Sequence, residues 1–289
     1  DMALKADILS SYPPVNEKAV DELLAKEIAG SNKKIVVLDD DPTGVQTVHD
    51  ISVYTNWSED SIRKGFAEEN KLFYILTNSR GFTAAQTEIA HREIAKAMDA
   101  VSKVTGKEYI FISRSDSTLR GHYPLETIIL KEEYEKNTGN KIDGEILCPF
   151  FKEGGRYTID DVHYVRYGDT LVPAAETEFA KDKTFGYTVS DLKEYVEEKT
   201  GGVYKKENVT AISLKDIRAL AFDKIEEQLM AVEDFNKIVV NAIDYVDVKI
   251  FCVALYRAMA KGKTFMFRTA AAIVNVMGGV SDQPLLRGE

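Results

Sequence analysis

At 289 residues, with 44% hydrophobic and 29% charged side chains and only 7 prolines, the chain can bury a sizeable core and fits neither a disordered nor a collagenous class. Its 47 acidic against 37 basic residues leave a net charge of −10, which argues against nucleic acid or an anionic membrane surface as the main partner. An anionic ligand would therefore need a local cationic pocket. No apolar run approaches the roughly 20 residues of a membrane span, and Asp1 to Pro14 lacks the basic start and apolar core of a leader, so a cytoplasmic location is expected. Cys148 and Cys252 sit in apolar surroundings without metal-ligand spacing, and two buried thiols are expected.

Residues 1–33 read as a preamble, broken at Pro13-Pro14 and helical from Glu17 to Ala29 through the spacing of Val20, Leu23, Leu24 and Ile28. Short apolar runs then alternate with amphipathic stretches. The runs are Ile35 to Leu38, Leu72 to Leu76, Tyr109 to Ile112, Ile146 to Cys148, Val209 to Ile212, Ile238 to Val240 and Thr264 to Phe267. Between them the spacing of Ile89, Ile94, Met98, Val101 and Val104, and of Ile217, Ala221, Ile225 and Leu229, predicts helices. This alternation predicts an α/β fold, a mostly parallel sheet with helices on both faces. One stretch departs from it: Arg156 to Val172 is rich in Tyr, Val and Thr, with Tyr167-Gly168-Asp169 as a turn, and predicts an antiparallel hairpin beside the main sheet.

Four of the predicted strands run into polar clusters. These are Asp39-Asp40-Asp41-Pro42-Thr43-Gly44, Thr77-Asn78-Ser79-Arg80-Gly81, Ser113 to Gly121, and Phe151 to Arg156. In an open parallel sheet the crevice beyond the carboxyl ends of the strands is where ligands bind, so the four loops are expected to line one cleft. Adjacent carboxylates repel, and a triple aspartate commonly holds a cation, accepts a proton or binds hydroxyls. The plain alternative is a helix N-cap. Arg80, Arg114, Arg120 and Arg156 all fall in these loops, and a guanidinium fork suits a carboxylate or phosphate. At least one of them is expected to be a structural partner of the aspartates. Gly262-Lys263-Thr264 resembles the end of a phosphate-binding loop, but position 257 is Arg257 where a glycine is required, and the tripeptide precedes a strand. His49, His91, His122 and His163 are scattered and read as structural, although His122 and His163 lie near cleft loops.

At these residues the chain resembles the four-carbon acid sugar kinases, which phosphorylate short sugar acids such as threonate, erythronate and their 3-oxo relatives. Asp40-Asp41-Pro42-Thr43-Gly44 is similar to that family's Asp-Asp-x-Thr-Gly signature, and Asp116 to Gly121 to its Asp-Ser-Thr-Leu-Arg-Gly motif. Cys148 to Thr158, Val162 to Val165, Ala175 to Ala180 and Arg268-Thr269-Ala270-Ala271 resemble further family segments, so the likeness runs from about Ile35 to Gly279. The chain departs from the family at Arg114, often a lysine there, at the extra Asp39 and in its long preamble.

Kinases of that family continue into a second domain whose glycine-rich loops bind ATP, and no such loop is visible before Glu289. The resemblance thus implies a substrate-binding domain: a helical preamble over 1–33, a sugar-acid-binding α/β domain over 34–280, and a tail or linker over 281–289 leading toward an ATP-binding domain. ATP and Mg2+ would be bound mainly by that C-terminal domain, with no cofactor or metal expected on this chain and no turnover by it alone. The substrate carboxylate would sit against Arg80, Arg114 or Arg120, while Asp40 or Asp41 orients a hydroxyl and takes its proton. Thr43, Gly44, Ser79, Asp116, Ser117, Gly121, Gly155 and Arg156 would complete the substrate contacts. A homodimer is compatible with this reading.

Two other readings use the same residues. Asp39-x-Asp41-x-Thr43 followed by Thr77-Asn78 resembles the haloacid dehalogenase phosphatases, with Asp39 as nucleophile, Asp41 as acid/base and Asp160-Asp161 as a magnesium motif. A non-catalytic sugar-acid-binding protein is the third.

Overall fold

A computed structural model gives the structure of residues 1–41 and 51–279. Its frame is an eight-stranded sheet whose strands are β2 (Lys34–Asp39), β3 (Val53–Tyr54), β4 (Leu72–Leu76), β5 (Tyr109–Arg114), β6 (Gly144–Cys148), β10 (Thr210–Ile212), β11 (Asn236–Val240) and β12 (Phe265–Thr269). They lie in the order β10-β11-β6-β12-β5-β2-β4-β3, and every neighbouring pair is parallel. All seven predicted apolar runs are strands. The residues of β2, β5, β6 and β12 are almost all buried, which explains why they read as unbroken apolar runs instead of alternating ones.

The pleat sends alternate residues of each strand to opposite faces. Ile35, Val37, Ile110, Ile112, Ile146, Phe265 and Phe267 pack beneath α1 (Glu17–Ala29), α6 (Leu214–Arg218), α7 (Phe222–Met230), α8 (Tyr245–Ala260) and α9 (Ala271–Met277). Val36, Leu38, Phe73, Ile75, Phe111 and Met266 face α2 (Glu59–Ala67), α3 (Ala84–Thr105) and α4 (Leu125–Thr138). The preamble helix α1 covers α8, where the nearly inaccessible Lys249 Nζ reaches Glu17 at 3.1 Å and Asp21 at 2.7 Å.

The antiparallel excursion is larger than a hairpin. β7 (Arg156–Ile159), β8 (Val162–Tyr167) and β9 (Thr170–Pro173) form a meander with two turns, and β1 (Leu4–Lys5) from the preamble pairs with β9. The first of these turns, at Asp160-Asp161, puts both residues at positive φ, a conformation that two aspartates do not advertise in sequence. α5 (Leu192–Lys199) packs with this small sheet over Leu147 and Val239 of the large one. Among the described residues, no helix is long and apolar enough to cross a membrane.

Candidate functional site

The carboxyl ends of β2, β4, β5 and β12 converge because these strands, with β5 and β2 at the centre, are close in the sheet order. Asp39 is the last residue of β2 and is wholly buried, with Arg114 Nη1 3.2 Å from its Oδ1. Burial pushes its carboxyl up to about 6, even against the pull of Arg114. Asp40, 3% exposed, accepts from Arg80 Nη2 at 2.7 Å, Arg80 Nε at 3.3 Å and Ser115 Oγ at 2.5 Å. Burial again raises its affinity for a proton, with the Glu126 charge adding to it and Arg80 and Arg268 opposing. Arg80 Nη1 reaches Asp41 Oδ2 at 3.0 Å, so one guanidinium spans both carboxylates.

The loop after β5 carries the second predicted motif. Asp116 accepts from Thr118 and from Arg120 Nε, the latter at 2.6 Å, and these bonds hold it below its ordinary value although burial works the other way. Three side chains from beyond the sheet grip three consecutive carbonyls of this loop. His163 Nε2 donates to Ser117 at 2.7 Å, Tyr187 Oη to Thr118 at 2.7 Å, and Tyr195 Oη to Leu119 at 2.9 Å. Thr158 Oγ1 donates to His163 Nδ1 at 2.9 Å, which fixes the Nε2-protonated neutral ring. Burial lowers the His163 pKa to about 4, consistent with that neutral form.

Gly121 closes the loop at φ +120°, and a Cβ there would lie 2.6 Å from Arg268 Nη2, 2.6 Å from Ser115 Oγ and 3.0 Å from Asp40 Oδ2. The missing side chain lets the loop backbone pack closely against a cation and an anion at once. Arg268, on β12, is 8% exposed and stacks over Tyr123 at 5.7 Å. Its Nη1 donates to Ser113 Oγ at 2.8 Å and Glu126 Oε1 at 2.9 Å, while its Nη2 has no hydrogen-bond partner among the described residues. Buried donors left unpaired are rare and costly in folded proteins, so this one marks a place for a ligand or water. Glu126 lies beneath it on α4. Despite full burial, His91, Arg268 and Ser79 together hold its carboxyl well below the usual range.

Of the residues expected from sequence, Asp40, Asp41, Ser79, Arg80, Arg114, Asp116, Ser117, Arg120 and Gly121 gather here, whereas Thr43 and Gly44 lie outside the described residues. Ser79 turns inward and gives its Oγ to Glu126 at 2.6 Å. Arg80, Arg114 and Arg120 are each paired with an aspartate. Arg156 joins the group through Phe179, whose ring lies 5.0 Å from the Arg120 guanidinium and 5.4 Å from that of Arg156. Gly155 supplies a turn at φ +73° that places Arg156 at the start of β7. Asp160 and Asp161 are remote from Asp39: Asp161 accepts from Asn241 at the end of β11, four strand spacings or roughly 19 Å from β2.

Sequence reasoning missed Arg268, Ser115, Glu126 and His91 as members of the site. The Arg268-Thr269 segment was visible only as a resemblance, because the predicted strand stopped at Phe267 and β12 runs on to Thr269. A cavity of about 20 Å³ beside Ser115, Asp116, Arg120 and Arg268 has room for about one water. Larger cavities, about 560 and 740 Å³, lie at the amino-terminal ends of the strands. There Lys34, Lys71 and Lys107 donate to backbone carbonyls, closing helix ends and loops, and the convergent acid and base groups are at the opposite end of the sheet.

A family described as the sugar-binding N-terminal domain matches residues 35–277, and the chain belongs to that family. Among solved structures, a Bordetella bronchiseptica protein described as a domain of unknown function, DUF1537, with bound citrate and forming a domain-swapped dimer, is 20% identical with a TM-score of 0.60. The match covers 86% of this chain and 57% of that one. A Haemophilus influenzae protein of the DUF1537 family is 15% identical with a TM-score of 0.56, over 88% of this chain and 57% of its own. The chain therefore spans a little over half the length of these structures, and the likeness shows the fold. No curated protein matches the chain significantly.

Proposed function

We propose that this chain is the substrate-binding domain of an ATP-dependent kinase acting on a four-carbon sugar acid of the tetronate or 3-oxo-tetronate class. The observation that carries the reading is the buried Arg268 Nη2, without a hydrogen-bond partner among the described residues and set close to the Asp40 carboxylate at Gly121. A 2-hydroxy acid presents a carboxylate and a hydroxyl on adjacent carbons, and such a pair matches a guanidinium donor beside a carboxylate acceptor. Arg80, Arg114 and Arg120 are held by aspartates and Arg268 Nη1 by Glu126, but the Arg268 Nη2 has no hydrogen-bond partner among the described residues, which makes Arg268 the first choice for the substrate carboxylate. Asp40, with its raised proton affinity, suits the orientation and deprotonation of a hydroxyl better than an ordinary exposed aspartate. The description of the family as sugar-binding supports the substrate class.

Nucleotide binding is assigned elsewhere. Among the described residues no glycine-rich strand-to-helix turn offers a triphosphate cradle, and no three His, Cys, Asp or Glu side chains are grouped to hold a metal ion. No step of this reading passes through ATP or Mg2+ on this chain; both are given to a C-terminal ATP-binding domain. A homodimer remains part of the proposal, alongside the domain-swapped dimer of the Bordetella bronchiseptica protein.

Calorimetry on the 289-residue chain tests the reading. Threonate or erythronate should bind and ATP should not; micromolar ATP binding indifferent to sugar acid would overturn it.

A further inference from the structure

We propose that His91 and Glu126 are positioning residues that lock the Arg268 guanidinium with Nη2 turned toward Gly121, and so set a preference for an anionic over a neutral sugar. The inference rests on the site reading above and deepens it. An arginine beside Asp40 would, left to itself, fold its fork onto that carboxylate and present no donor to a ligand. Instead Nη1 is held from two sides, by Ser113 Oγ at 2.8 Å and Glu126 Oε1 at 2.9 Å, and this leaves Nη2 as the end beside Gly121, without a partner among the described residues.

Glu126 is itself fixed. It is 1% exposed, its Oε2 accepts from Ser79 Oγ at 2.6 Å, and His91 Nε2 lies 3.1 Å from the same oxygen. The His91 ring is oriented in turn by Nδ1–H, which donates to the Thr87 carbonyl one helical turn back on α3 at 2.8 Å, so its contact with Glu126 is an ion pair of the imidazolium form, not an aligned hydrogen bond. α3, α4 and the loop after β4 thus converge on one buried carboxylate that reaches toward the cleft through Arg268. A buried charged chain of this kind contributes little net stability over an apolar core of the same volume, so packing alone does not call for it. Holding a guanidinium still does, since a fork fixed before the ligand arrives loses less freedom on binding.

The experiment compares wild type with H91Q, H91L and E126Q, using threonate and erythronate against the neutral tetritols threitol and erythritol in calorimetry, and follows the Arg268 Nε–H signal by NMR without ligand. H91L and E126Q should weaken acid binding about tenfold, the scale of one charged hydrogen bond, and lower the acid-to-tetritol ratio. H91Q, whose amide can still reach Glu126, should recover most of the loss. The Arg268 signal should be narrow in wild type and H91Q and broadened in the other two. If H91L does not fold, E126Q carries the same comparison. Unchanged acid binding in E126Q, an equal loss for acid and tetritol, or an unaltered Arg268 signal would overturn the assignment. Failure of wild type to bind either acid would instead overturn the site reading, while the NMR signal would still decide whether His91 and Glu126 hold Arg268.

Discussion

Gly121 carries a constraint that no other residue type meets. At φ +120° an added side chain is strained by about 1–3 kcal/mol, and its Cβ would also displace Arg268, Ser115 or Asp40. Gly121→Ala should therefore lower the melting temperature and abolish sugar-acid binding; a variant that binds as wild type would remove Gly121 from the site. His163 gives a pH signature. Its folded pKa near 4 lies below the ordinary 6.5, so the unfolded chain takes up the proton first. The stabilisation is complete above about pH 6.5 and is lost as pH falls toward 4, amounting to about 3 kcal/mol at 1.36 kcal/mol per unit. Asp39, raised to about 6, acts in the opposite direction, favouring the fold as it gains its proton. The test is consequently a difference: from pH 7 to 4.5, wild type should lose about 2–3 kcal/mol more stability in urea titrations than His163→Gln.

The loop over residues 115–121 holds its shape through elements that follow it in the chain. β8, Tyr187 and α5 supply the three donors to its carbonyls, and the small sheet is thus a brace for a loop of the large one. Tyr195→Phe leaves the Leu119 carbonyl unpaired and should cost about 1–3 kcal/mol. Hydrogen exchange should show the loss of protection at amides of residues 115–121, with weaker acid binding; protection unchanged there would mean that the brace is redundant. Strand existence was legible because β2, β4, β5 and β6 are buried on both faces and read as apolar runs. The brace was not, since Tyr187 and Tyr195 look like ordinary core aromatics until their hydroxyls are placed. The pairing of Arg80, Arg114 and Arg120 with aspartates was half foreseen, as charges of opposite sign in neighbouring loops. Glu126 and His91 were hidden for the same reason as each other: a single polar residue on an apolar helix face gives no hint of the partner that arrives from another helix.

At the scale of the molecule the sheet order decides more than it first suggests. β12, last of the strands in sequence, lies between β5 and β6 and pairs with both, with Thr269 alongside Arg114 and Cys148. Periodicity located this strand yet could not place it, because insertion between two earlier strands depends on contacts far apart in the chain. A nascent polypeptide that has not reached Phe265 has its sheet in two halves, each ending in an open apolar edge at β5 or β6. Translation must thus run almost to the end of the domain before the cleft acquires Arg268, and the half-built sheet is a target for chaperone capture or self-association. The missing piece is also short enough to be supplied from outside. A fragment ending at Gly262 should aggregate alone and be rescued by a synthetic peptide covering residues 263–279, as donor strands complete unfinished sheets. Recovery of a cooperative melting transition and of sugar-acid binding would report the keystone seated; a soluble, cooperatively melting fragment without the peptide would show that the two halves close on each other unaided.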